Sequence, residues 1–335
     1  MNNILNRDPN FIAPIQQPRE AYKPFSYPEY FDYFKKAVST VWRVETVDMN
    51  SDIKDFLTNS TEDEKEIIQG ILRGFTILET HIGDHWSDRV TKIFPKHEIA
   101  AACKAFAFFE CIHAQAYAHL SDSLGLNEYD AFLSDDVTRN KIGYFVDHPN
   151  DLVSLAVFSG AGEGVSLFSS FAALLSLSRD GRFKGLAQII SWSAIDENSH
   201  SDMGCALFKN LVQEKGITEE ETELIFKGFD TVLKNEFAFI DQIFEGRTLS
   251  YITSEELKDY MRFRANERLD KLGFAPRYKV EGLAAGVVEW FHTEVVGQSS
   301  NDFFYQSLDG GNYTSLVSQD FESIDYNKIN LEWND

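Results

Sequence analysis

Residues 104–120 read KAFAFFECIHAQAYAHL. The pattern predicts one helix, and steps of three and four residues at about 100° each bring Glu110, His113 and Tyr117 onto a single face. The remaining positions are mostly Ala, Phe, Ile and Cys, so this polar trio points into apolar surroundings. A carboxylate and an imidazole buried there need a counter-charge, and a metal ion supplies one.

The same E-x-x-H spacing recurs at Glu197/His200 and Glu289/His292. Context separates the three. Glu197/His200 lies in GLAQIISWSAIDENSHSDMGCALF, a long apolar helix whose polar residues gather at one point. Glu289/His292 lies near the C-terminus and reads as a partly exposed polar edge. Two helical E-x-x-H pairs suggest a dinuclear carboxylate site, which needs one further acid from each of two other helices. Glu79 in GILRGFTILETHIGDHW and Glu163 in LAVFSGAGEGVSLFSSFAALL are isolated acids in apolar helical stretches. Glu79 precedes Glu110 by 31 residues and Glu163 precedes Glu197 by 34, as two antiparallel helix pairs meeting at one depth would require. Four carboxylates with two neutral imidazoles carry a charge of −4, which two divalent ions neutralise. Oxygen-rich ligands of this kind favour Mn or Fe over Zn. Cys111, next to Glu110, points about 100° away and is not a ligand. His81 and His85, flanking Glu79, read as supporting or surface residues.

Around this constellation the pattern is helical almost throughout, over 62–90, 97–124, 150–179, 183–213, 219–246 and 277–299, with shorter helices near 29–41, 50–58, 136–147 and 253–270. Acids follow Thr61 and Thr218 in first turns, and Glu255 and Glu256 do the same after Ser254, which are helix-start signals. Strand alternation is nearly absent. The expected fold is an all-α bundle in one domain, residues 29–301. Five of the eight prolines fall in the first 28 residues, so 1–28 reads as an extended arm laid over the body. Residues 302–335 lose the periodicity and are rich in Gly, Ser, Asn and Asp, with scattered aromatics, as suits a flexible tail that docks on a partner.

The net charge of −22 with no basic patch argues against nucleic acid or an anionic membrane as partner. No uninterrupted apolar run approaches the roughly 18 residues of a membrane span, and MNNILNRDPN lacks a signal-peptide core. The expected location is the cytoplasm. Cys103, Cys111 and Cys205 are too few for a disulfide framework and read as buried thiols.

At these residues the chain resembles the small, radical-generating subunit of class I ribonucleotide reductase, a ferritin-like dimetal carboxylate family, from about Trp42 to the tail. FFECIHAQAYAHL is similar to the family's E-x-x-H-x-x-x-Y ligand helix, AIDENSH to its D-E-x-x-H segment, and TVWRVETVDM to its W-R-x-E-x-V-D segment. The resemblance implies metal ligands at Glu79, Glu110, His113, Glu163, Glu197 and His200. It implies a radical-transfer path through Asp196 and Trp42, with Tyr117 at the position that can hold a stable radical. It also implies a homodimer whose tail, through a tyrosine, passes the radical to a large catalytic subunit that reduces ribonucleotides. Tyr313 fits the tail position and Tyr326 is the alternative.

In the better-known iron-tyrosyl members the first ligand is Asp. Here it is Glu79, as in some manganese-using members, which leaves Mn/Fe, Mn/Mn and Fe/Fe open. It also leaves open whether the oxidant rests on Tyr117 or on the metals. No long N-terminal extension is present, so no added nucleotide-binding module is expected. A ferritin-like oxygenase or ligand-binding oxidase shares the six ligands, and a metal-storage bundle is a further alternative. Trp42, Asp196 and the long tail together distinguish the reductase subunit from the oxygenase, and Tyr117 beside the cluster from the storage bundle.

Overall fold

Three of the long helices begin on a threonine that exchanges hydrogen bonds with a glutamate three residues on. Thr61 and Glu64 start one, Thr218 and Glu221 a second, and Thr253 and Glu256 a third. Each pair satisfies two backbone donors that a helix end otherwise leaves unpaired. The computed structural model describes residues 11–126, 135–143 and 149–306. Its helices in order are α1 (Pro28–Ser39), α2 (Asn50–Lys54), α3 (Glu62–Asp84), α4 (Thr91–Ile93), α5 (His97–Ser123), α6 (Asp136–Gly143), α7 (Asp151–Ala156), α8 (Phe168–Ser176), α9 (Lys184–Lys215), α10 (Glu219–Ile243), α11 (Ser254–Leu272) and α12 (Ala284–Gln306). No strand occurs among the described residues, in agreement with the all-α expectation.

The central helix is α9, where every residue from Ile189 to Ser201 is buried. Its start has no side-chain cap of its own. The Asp52 carboxylate of α2 instead accepts the amides of Gly185 and Leu186 at 3.1 and 2.8 Å, and Asp55 accepts the amide of Phe183 at 3.1 Å. Helices α3 and α5 pack side by side, α5 meets α9, and the segment between α7 and α8 lies against α9, α10 and α11. The largest fully buried side chains include Trp86, Trp192, Tyr117, Phe106 and Phe109.

Two expected long helices change winding. The 62–90 helix becomes π-helical over His85–Val90, and the 150–179 helix is π-helical over Val157–Ser166, between α7 and α8. Gly160, Gly162 and Gly164 weaken the α-helix there. The run Asp151–Ser176 is long and apolar enough to cross a membrane, but its apolar stretch is wholly buried inside the fold. It serves as core.

The helix expected over 277–299 starts later, at Ala284. Before it, Asn266 accepts the amides of Arg277 and Tyr278, and Asp259 accepts those of Glu281 and Ala284, so α11 side chains hold 277–283 in a turn. The same helix continues to Gln306, beyond the 301/302 boundary read from composition. Residues 11–27 lie over the body. The Ile15 amide donates to Glu214 at 2.8 Å, and Glu98 accepts the amide of Ser26 at 2.8 Å. Residues 1–10 and 307–335, with Tyr313 and Tyr326, lie outside the described residues, as do 144–147 of the expected 136–147 helix.

Cys103 and Cys205 are buried, but Cys111 is exposed, against the expectation of three buried thiols. Because Glu110 faces the core, the next residue of α5 is turned about 100° away, to the outer surface.

Candidate metal centre

Four helical segments converge on one buried cluster. Glu79 comes from α3, Glu110 and His113 from α5, Glu163 from the π-helical segment, and Glu197 and His200 from α9. All six are at most 1 % exposed. Ligating atoms of Glu79, Glu110, His113 and Glu197 lie within 4.8 Å of one another, and so do those of Glu110, Glu163, Glu197 and His200. Glu110 and Glu197 belong to both sets. The geometry is therefore that of two neighbouring four-residue cation positions sharing two carboxylates.

Both imidazoles turn Nδ1 inward. His113 Nδ1 lies 3.1 Å from Glu110 Oε2 and 2.9 Å from Glu197 Oε1, and His200 Nδ1 lies 2.8 Å from Glu110 Oε1 and 3.4 Å from Glu197 Oε2. Of these contacts, the ones to Glu197 and the one between His200 and Glu110 lack hydrogen-bond alignment. Both oxygens of Glu79 and of Glu197, Oε1 of Glu110, Oε2 of Glu163 and Nδ1 of His200 are buried with no hydrogen-bond partner. Buried acceptors of this kind are costly unless something positive sits among them. The donor set thus fits metal ions, and its hard oxygens with two imidazoles suit Mn or Fe.

The electrostatics agree. Burial, and then the charges of Glu110 and Glu197, push the Glu79 carboxyl well up. Burial and Glu197 do the same to Glu163. Burial alone would raise Glu197 too, but Glu163, His113 and His200 beside it bring it below the ordinary carboxylate range. Burial opposes the charged imidazole of His200, yet Glu110 and Glu197 carry it up to about 9. A cluster that would otherwise collect protons to offset its charge is one that a cation relieves.

Behind the cluster, His113 Nε2 lies 3.2 Å from Asp196 Oδ2, and the same oxygen accepts the Trp42 indole N–H at 2.8 Å. The Trp42 and His113 rings are 5.9 Å apart and inclined by 24°, and Trp192 is 5.1 Å from Trp42. Asp196, Trp42 and His113 are all buried. Such a carboxylate fixes the tautomer and orientation of the imidazole in front of it. Tyr117 is fully buried, with its ring 6.3 Å from His113 and 4.6 Å from Phe75. Its hydroxyl has no hydrogen-bond partner, and burial followed by the Glu79 charge pushes it well above the ordinary phenol range.

The other candidates stay outside. Glu289 is exposed on α12 and His292 is half-buried, and neither belongs to the two sets. His81 is exposed, and the His85 ring stacks on Phe158. Sequence reasoning missed Trp86, whose indole donates to Glu163 Oε1 at 2.5 Å. It follows Glu79 by seven residues, a spacing that puts both on one face of the expected 62–90 helix and is the signal that could have found it.

A family model described as ribonucleotide reductase, small chain, matches residues 19–285. The probable ribonucleoside-diphosphate reductase small subunit of Invertebrate iridescent virus 6 is 26 % identical over 330 residues, covering 85 % of this chain and 92 % of that protein. The ribonucleoside-diphosphate reductase subunit beta of Treponema pallidum is 26 % identical over 316 residues, covering 84 % and 85 %. Among solved structures, a putative class I ribonucleotide reductase from Bacillus halodurans superposes with a TM-score of 0.72 at 22 % identity, over 81 % of this chain and all of that one. The dimanganese(II)-NrdF of Streptococcus sanguinis superposes with a TM-score of 0.71 at 19 % identity, over 79 % and 95 %. The ferritin-like bundle is the fold shared with these neighbours. With the match running from the arm into the start of α12, the chain belongs to the ribonucleotide reductase small-chain family and is an oxidoreductase, the small subunit of a ribonucleoside-diphosphate reductase.

Proposed function

We propose that Glu79, Glu110, His113, Glu163, Glu197 and His200 hold two first-row transition-metal ions, Mn, Fe or one of each, and that the chain generates the oxidising equivalent used by a separate large subunit to reduce ribonucleotides. The observation that carries this reading is the sharing of Glu110 and Glu197 between two buried four-residue sets in which each of the four carboxylates keeps at least one oxygen without a hydrogen-bond partner. Bound there, such ions would supply a one-electron oxidant, with O2 or a reduced oxygen species as its source. Glu79 in place of Asp, and the likeness to a dimanganese(II) protein, support Mn at one or both positions.

The chain's own residues do the rest. Asp196 stands between the imidazole of His113 and the indole of Trp42. When the Trp42 indole loses an electron, its Nε1 proton has an acceptor 2.8 Å away in Asp196 Oδ2, so charge does not build up in a dry interior. Tyr117 sits one turn beyond His113 in a water-excluded pocket, where a phenoxyl, if formed, is shielded. Tyr313 of the tail, or Tyr326 in its place, relays the equivalent to the large subunit. The linked Trp42–Asp196–His113 arrangement favours this role over a ferritin-like oxygenase, which has no evident use for it.

A homodimer completes the proposal. Tyr22, Val38, Val41 and Phe108 are exposed by 55, 56, 45 and 51 % and line one apolar groove between α1 and α5. A second copy is the partner proposed for it. The assembly works in the cytoplasm.

Metal-depleted protein reconstituted with Fe(II), Mn(II) or both, followed by EPR and an assay with the cognate large subunit, tests the reading. The expected result is a redox-active centre that supports turnover. One Zn per chain with no redox signal contradicts it.

A further inference from the structure

Glu163 sits on a π-helical segment whose backbone is held from α11, a helix that contributes nothing to the cluster itself. Arg264 of α11 donates Nε–H to the Gly164 carbonyl at 3.1 Å and Nη2–H to Asn198 Oδ1 at 2.8 Å. Arg268, one turn on, donates to the same Asn198 oxygen at 2.9 Å, to Asp202 at 2.7 Å and to Ser201 Oγ at 3.2 Å. Ser201 Oγ in turn donates to the Ser159 carbonyl at 2.6 Å. Two carbonyls that bracket Glu163, those of Ser159 and Gly164, are thus tied to two arginines. The same arginines grip Asn198, Ser201 and Asp202, the neighbours of Glu197 and His200 on α9.

This arrangement is built at some cost. Arg264 and Arg268 are only 4 and 2 % exposed. The carboxylate paired with Arg264 is Glu267, at 3.3 Å, and its guanidinium lies 3.8 Å from the Phe168 ring centre. Buried cations seldom improve net stability even when they are paired and hydrogen-bonded, because their desolvation is costly. Gly164 has no room for a side chain, since a Cβ there would lie 2.5 Å from Arg268 Cδ and 2.7 Å from Ser201 Oγ. The close approach therefore depends on glycine at that point.

A π-helical stretch competes with the α winding of the same residues, and the two turn a given side chain in different directions. We propose that Arg264, with Arg268 beside it, is a positioning residue. It fixes the winding of Val157–Ser166 against α9, so that Glu163 meets Glu197 and His200. The clamp rests on the two-ion reading and acts on one half of it. The set Glu110, Glu163, Glu197 and His200 depends on the clamp through the π-helical segment, which contributes no residue to the set containing Glu79.

The test is a Mn(II) titration of the chelator-treated full-length protein, followed by EPR of unbound Mn(II), on wild type, Arg264→Met and Arg264→Lys. Glu163→Gln serves to assign the sites. Two Mn(II) per chain are expected for wild type. Arg264→Met keeps one at wild-type affinity and binds the other roughly 10- to 100-fold more weakly, the same one that Glu163→Gln loses, and Arg264→Lys falls between. Should Arg264→Met lack the helical circular dichroism of the wild type, Arg264→Lys decides by the same selective weakening, because it keeps the buried charge and loses the planar fork that reaches Gly164 and Asn198 together. Equal weakening of both sites, or none, in a folded variant overturns the clamp. Failure of wild type to bind two ions overturns the two-ion reading, and the clamp with it.

Discussion

Trp42 and Asp196, 154 residues apart in sequence, are joined by an indole N–H to carboxylate hydrogen bond of 2.8 Å in the protein interior. Asp196 is at the same time 3.2 Å from His113 Nε2, so one oxygen connects the cluster to an aromatic side chain outside it.

If that oxygen takes the indole proton, Asp196→Asn removes the base and preserves the shape. The variant is expected to retain both metal ions and to lose turnover with the large subunit by at least about 100-fold. Metal analysis beside the activity assay checks this, and near-normal turnover removes Asp196 from the path.

The tail relay is open to a paired comparison. Tyr313→Phe is expected to abolish turnover while leaving oxidation of the metal centre intact, and Tyr326→Phe to retain turnover. The reverse pattern transfers the role to Tyr326. EPR of the centre in each variant separates loss of relay from loss of oxidant.

Stability of the α3 start depends on pH with a definite sign. Glu64 accepts the Thr61 amide at 2.9 Å and pairs with Arg182 at 2.7 and 3.0 Å. Burial pushes its carboxyl up, but Arg182 and Thr61 more than reverse this and hold it below its ordinary value. A carboxyl with a depressed folded-state pKa contributes fully above its unfolded value of about 4.3, and that contribution is lost as pH falls through the folded value. Gln keeps the reciprocal cap but loses the charge facing Arg182, so Glu64→Gln is expected to cost about 1–2 kcal/mol at neutral pH, and to lose less stability than wild type between about pH 5 and pH 3. Denaturant unfolding at several pH values checks it, and parallel curves for the two proteins count against it.

On the α1–α5 face, Val41→Asp together with Phe108→Asp places charges in the exposed apolar groove. The expected outcome is a monomer by light scattering, with metal content unchanged. A dimer that persists moves the interface elsewhere.

What the sequence revealed depended on regular winding. Glu110, His113 and Tyr117 share a face because α5 is an uninterrupted α-helix, and Glu197 and His200 are paired on α9 for the same reason. Glu163 stood out as a lone acid among apolar residues even though its segment is not α-helical. Trp86 did not stand out, because an indole seven residues beyond Glu79 reads as ordinary core packing and carries no ligand signal. Arg264 and Arg268 were hidden for a different reason. Helix α11 reads SEELKDYMRFRANERLDKL, and charge in such a sequence ordinarily marks a solvated face. Only the packing against Gly164 and Asn198 shows that two of its arginines point inward.

The most direct measurement counts metal ions per chain after reconstitution and desalting, in wild type, Glu79→Ala and Glu110→Ala. Glu110 contributes to both sets and Glu79 to one. Two ions in wild type, one in Glu79→Ala and none tightly held in Glu110→Ala are expected. A wild type with a single ion, or Glu110→Ala that keeps one at wild-type affinity, contradicts a centre built on shared carboxylates.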